Sequence, residues 1–247
     1  MNTLHQFVLE KLYKNQLNPK FWDKNKQFDP DVREKLTTIA TDFTDKLEIT
    51  KFVKDIQLTG SIANYNYTRF SDLDLHVILN FKDIDDNTEL VKSDLDGKRF
   101  IWNLRHNIYI KDHEVEMYFQ DINEPHISSG TYSVLKGKWI KEPVYDPPEI
   151  DEPYIKHKAQ EIKKDIDILS RKLKNTQDPE ELHDLEMKAQ KYREKIMKMR
   201  KDSLQQKGEY GIGNLVFKQL RNTGYIEKII DISNQAYDKI YSESCKY

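Results

Sequence analysis

The stretch 52–81, FVKDIQLTGSIANYNYTRFSDLDLHVILNF, decides the fold. Its first nine residues read as a strand that ends at Gly60, the first glycine in the chain. Residues 72–81 alternate polar and apolar side chains and then become almost wholly apolar, which is typical of a strand that enters a buried sheet. The stretch therefore predicts two strands of one sheet, joined by a polar and aromatic loop.

Two carboxylates lie at the start of the second of these strands. Asp72 and Asp74 share one face, because side chains at i and i+2 of a strand point the same way with Cα atoms about 6.6 Å apart. Such a pair is repulsive unless a cation lies between the carboxylates, and it can reach two Mg²⁺ ions about 3.5–4 Å apart. Gly60 has no Cβ and lets a phosphate approach the backbone, while the Ser61 hydroxyl can donate to phosphate oxygens. The pattern predicts a site for metal ions and phosphate.

The amino-acid composition excludes several classes of protein. The 247 residues carry 40 Lys and Arg against 42 Asp and Glu, a net charge of −2, so a chain that is basic all over is excluded. Cys245 is the single cysteine, which excludes a disulfide framework and a cysteine zinc site. Neither a signal peptide nor an apolar stretch of about 20 residues is visible. These features predict a soluble, cytoplasmic protein without a membrane partner.

Three regions are expected along the chain. Residues 1–125 form an α+β core, with two N-terminal helices, a helix at 84–105 whose core residues include Leu90 and Leu104, and a further strand at 113–121. The second N-terminal helix begins at Asp29-Pro30, a plausible N-cap and first-turn pair. Residues 126–153 are interpreted as loop and linker, because five of the eight prolines fall at 122–153.

Residues 154–247 are expected to be helical. Two series of apolar residues recur at alternate spacings of four and three, as in a coiled-coil seam. We expect the two helices to form an antiparallel hairpin in which the seams bury each other, followed by helices near 213–222 and 225–243. The seams are Ile155, Ala159, Ile162, Ile166, Leu169 and Leu173, and Leu182, Leu185, Ala189, Tyr192, Ile196 and Met199.

The sequence Gly60-Ser61 followed by Asp72-Leu73-Asp74 resembles the signature of the DNA polymerase beta superfamily of nucleotidyltransferases. The family pattern adds a third carboxylate flanked by apolar residues on a later strand, which Glu116 matches. The segments TGSIANYN, SDLDLH, HEVEMYFQDINEPH and NLVFKQLRNTGYI are also similar to small nucleotidyltransferases of large tailed phages. That second resemblance implies a protein of the host cytoplasm.

The resemblance implies a nucleotidyltransferase-type mixed β-sheet with flanking helices and a definite activity. Two Mg²⁺ ions, or Mn²⁺, would be held by Asp72, Asp74 and Glu116. A nucleoside triphosphate such as ATP would be gripped at Gly60 and Ser61 and would transfer its nucleoside monophosphate to an acceptor hydroxyl, with release of pyrophosphate. A glutamate in the third place, where the family often has aspartate, is a mild departure from the pattern.

Other candidate residues have competing interpretations. Glu114 shares the face of Glu116 but is flanked by a histidine and ranks second, and His76 is more often a hydrogen-bonding neighbour than a ligand. Lys218 and Arg221, three apart on one helix face, can close over a triphosphate if that helix docks on the sheet. Lys98 and Arg99 can reach phosphates but fit a solvated surface better, as does the basic run 191–207.

The acceptor is left open, because the same core activates whatever hydroxyl it is given. An RNA 3′ end, a protein side chain, a small molecule and a second nucleotide all remain. The alternatives to an ordinary transferase are a non-catalytic protein that binds nucleotide or RNA on the same fold, and an antitoxin-like interaction protein that nucleotidylates a partner.

Overall fold

The computed structural model describes residues 14–124, 128–146 and 150–242. The chain divides into two compact units, which comprise residues 14–146 and 150–242 of the described chain. The first is α+β and the second is helical, so the predicted α+β class is confirmed. The first predicted N-terminal helix lies outside the described residues. No helix within the described ranges has the length and apolar character needed to cross a membrane.

The first unit is built on a mixed sheet of six strands in the order β3-β4-β2-β1-β5-β6. The neighbouring strands β2 and β4 are parallel, and the other neighbouring pairs are antiparallel. The strands are β1 (Val53–Thr59), β2 (Leu73–Leu79), β3 (Tyr109–Ile110), β4 (His113–Asp121), β5 (Thr131–Ser133) and β6 (Lys138–Lys141). The helices are α1 (Pro30–Lys46), which precedes β1, and α2 (Thr88–Arg105), which lies between β2 and β3.

One face of this sheet is apolar and forms the core with α1 and α2. Leu58 of β1 pairs with Leu75 of β2, which pairs with Met117 of β4, and all three side chains are buried. Residues of α1 and α2, among them Leu36 and Leu95, close the other side of this core. The period-two pattern places the polar residues of the same strands on the opposite face.

The α1 helix begins as its sequence predicts. The Asp29 carboxylate accepts hydrogen bonds from the amides of Asp31 and Val32, and Pro30 occupies the first turn. The core prediction for α2 is only partly right, because Leu90 and Leu104 are exposed. Both lie on the side of α2 away from the sheet, since a helix repeats every 3.6 residues.

The interpretation of 126–153 as loop and linker is wrong in its central part. β5 and β6 form a hairpin there, and Tyr132 of β5 is buried in the sheet core. The hairpin turn contains Gly137, whose φ of +66° suits glycine. The prolines flank this hairpin without interrupting its strands, and so their number was a poor guide to the residues between them.

The second unit consists of α3 (Glu152–Asn175), α4 (Pro179–Lys207), α5 (Ile212–Asn222) and α6 (Tyr225–Tyr241). Nine of the twelve seam residues of α3 and α4 are buried, and the other three are partly exposed. The two helices follow each other across residues 176–178, and Tyr192 of α4 donates to Asp165 of α3 at 2.6 Å. The expectation that the seams bury each other is only partly right, because α5 and α6 also pack against both helices.

Candidate functional site

The polar face of the sheet carries the residues that the sequence assigns to chemistry. Asp74 of β2 and Glu116 of β4 are Cα partners in the parallel ladder, and both side chains are half-buried. Adjacent strands lie about 4.8 Å apart, so the two carboxylates share one face at one level of the sheet. Asp72 immediately precedes β2 and is also half-buried. Two residues proposed from separate parts of the chain are therefore neighbours.

Gly60 stands directly against this pair. It follows β1, whose last residue Thr59 is the antiparallel partner of Asp74. Its φ is +72°, a left-handed conformation that favours glycine. A Cβ added at Gly60 would lie 1.8 Å from Oδ2 of Asp74. The absence of a Cβ at Gly60 therefore leaves room for the Asp74 carboxylate, which lies against the end of β1.

The Ser61 hydroxyl is engaged inside its own loop. It donates to Oγ of Ser71 at 2.7 Å, and the same Oγ accepts from the amide of Thr68 at 2.9 Å. The carbonyl of Ser71 is 2.6 Å from Nδ1 of buried His113. Ser71, the residue before Asp72, therefore ties the loop after β1 to the first carboxylate. Contact of Ser61 with phosphate remains a prediction, and it requires the hydroxyl to leave Ser71.

Tyr118 holds the third carboxylate. Its hydroxyl donates to Oε2 of Glu116. The ring is stacked with His76 at a centroid distance of 4.9 Å, and the guanidinium of Arg99 lies 5.0 Å from the ring centroid. Burial of the phenol and the negative charges of Asp74 and Glu116 raise the pKa of Tyr118 far above its usual value. The phenol is therefore a neutral hydrogen-bond donor to Glu116.

The lesser candidates have identifiable neighbours. His76 makes a 2.9 Å hydrogen bond through Nδ1 to Oε1 of Gln120. Glu114 lies two residues before Glu116 and is 3.4 Å from the hydroxyl of exposed Tyr109. Neither observation tests the preference for Glu116 as the third ligand, which remains a prediction.

The four basic residues that the sequence suggests for phosphate binding lie in different environments. Lys98 pairs with Asp94 on the surface at 2.7 Å, which fits its interpretation as a solvated residue. Arg99, its neighbour on α2, instead covers Tyr118 and is partly buried. Lys218 and Arg221 lie about one turn apart on α5 of the helical unit, and both are half-buried. Their contact with a triphosphate remains a prediction.

The donor chemistry of Asp74 and Glu116 fits a hard divalent cation, because carboxylate oxygens are the ligands that Mg²⁺ prefers. In the described residues, no group of three or more His, Cys, Asp or Glu side chains is assembled closely enough to hold a metal ion. The fit therefore rests on the facing pair, with Asp72 adjacent to it in sequence.

Sequence reasoning missed Ser71, His113 and Tyr118 as supports of the site. Tyr118 carries a readable signal, because it lies two residues after Glu116 on one strand and must share its face. The roles of Ser71 and His113 have no signal in the sequence, since the hydrogen bond between them joins residues that are 42 positions apart.

Comparisons of the chain with models of known protein families, with curated proteins and with solved structures found no match.

Proposed function

We propose that this protein is a metal-dependent nucleotidyltransferase, which transfers a nucleoside monophosphate from a nucleoside triphosphate to an acceptor hydroxyl. The observation that supports this most is the facing of Asp74 and Glu116 across β2 and β4. Gly60 adds to it, because a residue without a Cβ leaves room for the Asp74 carboxylate against the end of β1. A protein that only binds phosphate has no need for carboxylates beside it, since they repel the ligand.

In the proposed reaction the acceptor oxygen attacks the α-phosphorus of the triphosphate. A bond forms between that oxygen and the α-phosphorus, the bond from the α-phosphorus to the bridging oxygen breaks, and pyrophosphate leaves with the electron pair. The hydroxyl proton passes to solvent. Magnesium ions bound at such a site lower the pKa of the hydroxyl and neutralise charge on the phosphates.

In this scheme the protein side chains and backbone hold the metal ions and the triphosphate in place. Asp72, Asp74 and Glu116 provide the metal ligands, and Tyr118 orients Glu116 through its hydroxyl. Backbone amides near Gly60 and Ser61 donate to the β- and γ-phosphates. Contact of Lys218 and Arg221 with the triphosphate remains a prediction of the sequence and is not part of this scheme.

The test uses α-labelled forms of the four triphosphates with Mg²⁺ or Mn²⁺ and a mixed pool of RNA and cell protein. Wild type is expected to transfer label, and its appearance on RNA, on protein or in a small product identifies the acceptor class. Asp74→Asn and Glu116→Gln are expected to abolish transfer. Glu114→Gln is the matched control, since it removes an equivalent charge from the same face of β4 and should leave transfer intact.

Two results would contradict the proposal or its site. If wild type transfers no label and binds triphosphate as well as Asp74→Asn does, the protein is a non-catalytic binder. If Glu114→Gln abolishes transfer and Glu116→Gln does not, the third ligand is Glu114. Titration of Mn²⁺ by electron paramagnetic resonance reports on metal binding separately from transfer, and each carboxylate variant should weaken that binding.

A further inference from the structure

Two buried polar atoms on the polar face of the sheet have no hydrogen-bond partner among the described residues. They are Oε1 of Gln57, a residue that is 8% exposed, and Oγ1 of Thr131, a residue that is 2% exposed. A buried donor or acceptor without a partner destabilises a folded protein, so each such atom requires a water, an ion or a ligand as its missing partner.

The two side chains lie on the same face of neighbouring strands. Gln57 of β1 is the antiparallel partner of Ser133 in β5. Thr131 lies two residues before Ser133 and so shares its face, whereas Tyr132 between them points into the apolar core. Diagonal neighbours of this kind have Cα atoms about 7–8 Å apart, close enough for both side chains to contact one small group.

Gln57 and Thr131 lie close to the Asp74 carboxylate. β1 ends at Thr59, two residues after Gln57 and on the same face, and Thr59 is the partner of Asp74. The start of β5 also approaches the loop after Gly60, because a Cβ on Gly130 would lie 1.9 Å from the carbonyl oxygen of Ala63. Gln57 and Thr131 are therefore one or two strands from the proposed reacting centre.

The surrounding hydrogen bonds determine which atom of the Gln57 side chain is left to bind a ligand. Its Nε2 donates to Oδ2 of buried Asp55 at 3.2 Å, so its Oε1 faces away from that carboxylate. Asp55 also accepts from Oγ of Ser133 at 2.7 Å, and Nζ of Lys136 lies 3.5 Å from Oδ2. The Asp55 charge is thus already compensated by its neighbours.

A neutral hydroxyl-bearing group matches these two atoms. Oε1 of Gln57 is an acceptor only and requires an O–H or N–H donor, whereas Oγ1 of Thr131 can donate and accept. An ionised phosphate has acceptor oxygens only and therefore offers no donor to Oε1 of Gln57. A pair of adjacent sugar hydroxyls supplies both a donor and a second polar oxygen.

We propose that Gln57 and Thr131 form a subsite for the vicinal hydroxyls of a ribose or similar sugar. The role of this subsite in transfer rests on the proposed function, whereas sugar binding itself does not. The same chemistry has two possible sources, namely the ribose of the triphosphate and the sugar of an acceptor.

The test measures binding without turnover. Titration calorimetry compares ATP with 2′,3′-dideoxyATP in Ca²⁺, and saturation-transfer NMR measures methyl β-ribofuranoside with and without the triphosphate. If the triphosphate ribose is bound here, wild type prefers ATP at least 5-fold and Thr131→Val removes that preference. If an acceptor sugar is bound, the two triphosphates bind equally, and the riboside signal of wild type is lost in Thr131→Val.

The proposal is overturned if Thr131→Val changes neither the triphosphate preference nor the riboside signal, or if wild type shows neither. Failure of transfer with intact riboside binding would overturn the proposed function alone. Gln57→Met, which keeps chain length and removes the carbonyl, is a second variant and should reproduce the effect of Thr131→Val on binding.

A measurement of thermal stability shows whether a loss of sugar binding in Thr131→Val comes merely from damage to the fold. Because Thr131→Val removes an unpartnered buried hydroxyl, it should raise the Tm by about 2–4 °C. Thr44→Val is the matched control, since the buried Thr44 hydroxyl donates to the carbonyl of Thr41 at 3.0 Å in α1. That variant should lower the Tm and leave both binding measurements unchanged.

Discussion

The carboxylate of Asp74 occupies the space in which a side chain at Gly60 would lie, since a Cβ on Gly60 would be 1.8 Å from its Oδ2. The glycine is also held at a φ of +72°. The position thus disfavours every other residue on two independent grounds, backbone conformation and space. This close contact makes the end of β1 and the start of β2 one structural unit.

Replacing this glycine should damage both stability and metal binding. The left-handed backbone costs a non-glycine residue about 1–2 kcal/mol, and Gly60→Ala must in addition displace Asp74. We expect the free energy of unfolding to fall by about 2 kcal/mol or more and Mn²⁺ binding to weaken. Urea denaturation and a Mn²⁺ titration measure these changes.

Gly97→Ala is the matched control for that experiment. Gly97 lies inside α2, and a Cβ there would meet nothing within 4 Å. The substitution should stabilise the protein by about 0.5–1 kcal/mol, because alanine favours a helix interior over glycine. Equal losses in the two variants would show that Gly60 has no special role.

Loss of the Tyr118 hydroxyl should loosen Glu116. Tyr118→Phe keeps the ring between His76 and Arg99 and removes the donor to Oε2 of Glu116. Removal of such a supporting hydrogen bond typically weakens metal affinity about 10–100-fold. A Mn²⁺ titration measures the loss, and Tyr109→Phe, at an exposed residue, should have little effect.

Tyr118 should also resist titration. Burial and the charges of Asp74 and Glu116 raise its pKa, so the folded protein retains a proton that the unfolded chain releases near pH 10. The stabilisation is complete below that pH and declines as the pH rises above it. Wild type and Tyr118→Phe should show the same rise in absorbance at 295 nm up to pH 10.5, because Tyr118 contributes none of it. The stability of Tyr118→Phe should fall less steeply above pH 10 than that of wild type.

Much of the central sheet could be predicted from sequence because its strands bury one face. The alternation around Asp74 and that around Glu116 each placed a carboxylate on the polar side, and the structure brings the two together. The register between the strands could not be predicted, since it depends on α2 and on the buried contacts of Leu75 and Met117.

The hairpin of β5 and β6 was missed because its strands have only three and four residues. Strands this short carry almost no periodic signal, and their stability comes from pairing with β1. The proximity of Gln57 and Thr131 is not predictable from the sequence for the same reason, because one of the two strands carries no strand signal. Buried polar atoms without partners become visible only when the fold is known.

Ser71 should be necessary for an ordered loop after β1. Ser71→Ala leaves the amide of Thr68 and the hydroxyl of Ser61 without their acceptor. We expect a loss of about 1–3 kcal/mol in unfolding free energy and faster hydrogen exchange at the Thr68 amide. Ser93→Ala, on the exposed surface of α2, is the control: it should raise the unfolding free energy slightly through helix propensity and leave exchange at the Thr68 amide unchanged.

The ion pair at the start of α1 should make stability depend on acid pH. The Lys111 ammonium, 2.7 Å from Oδ2 of Asp29, and the amide of Val32 hold the pKa of Asp29 below its usual value. A lowered pKa in the folded state stabilises the protein above the unfolded pKa of about 3.9, and this contribution is lost as the pH falls.

Asp29→Asn keeps an oxygen for the helix cap and removes the charge. It should lower the free energy of unfolding by about 0.5–1 kcal/mol at pH 7, and the difference from wild type should shrink towards pH 2.5. Lys111→Gln removes the same ion pair by neutralising the cation. Its loss of unfolding free energy relative to wild type should likewise be smaller at pH 2.5 than at pH 7. A gap between wild type and Asp29→Asn that is as large at pH 2.5 as at pH 7 would show that the charge of Asp29 is not its cause.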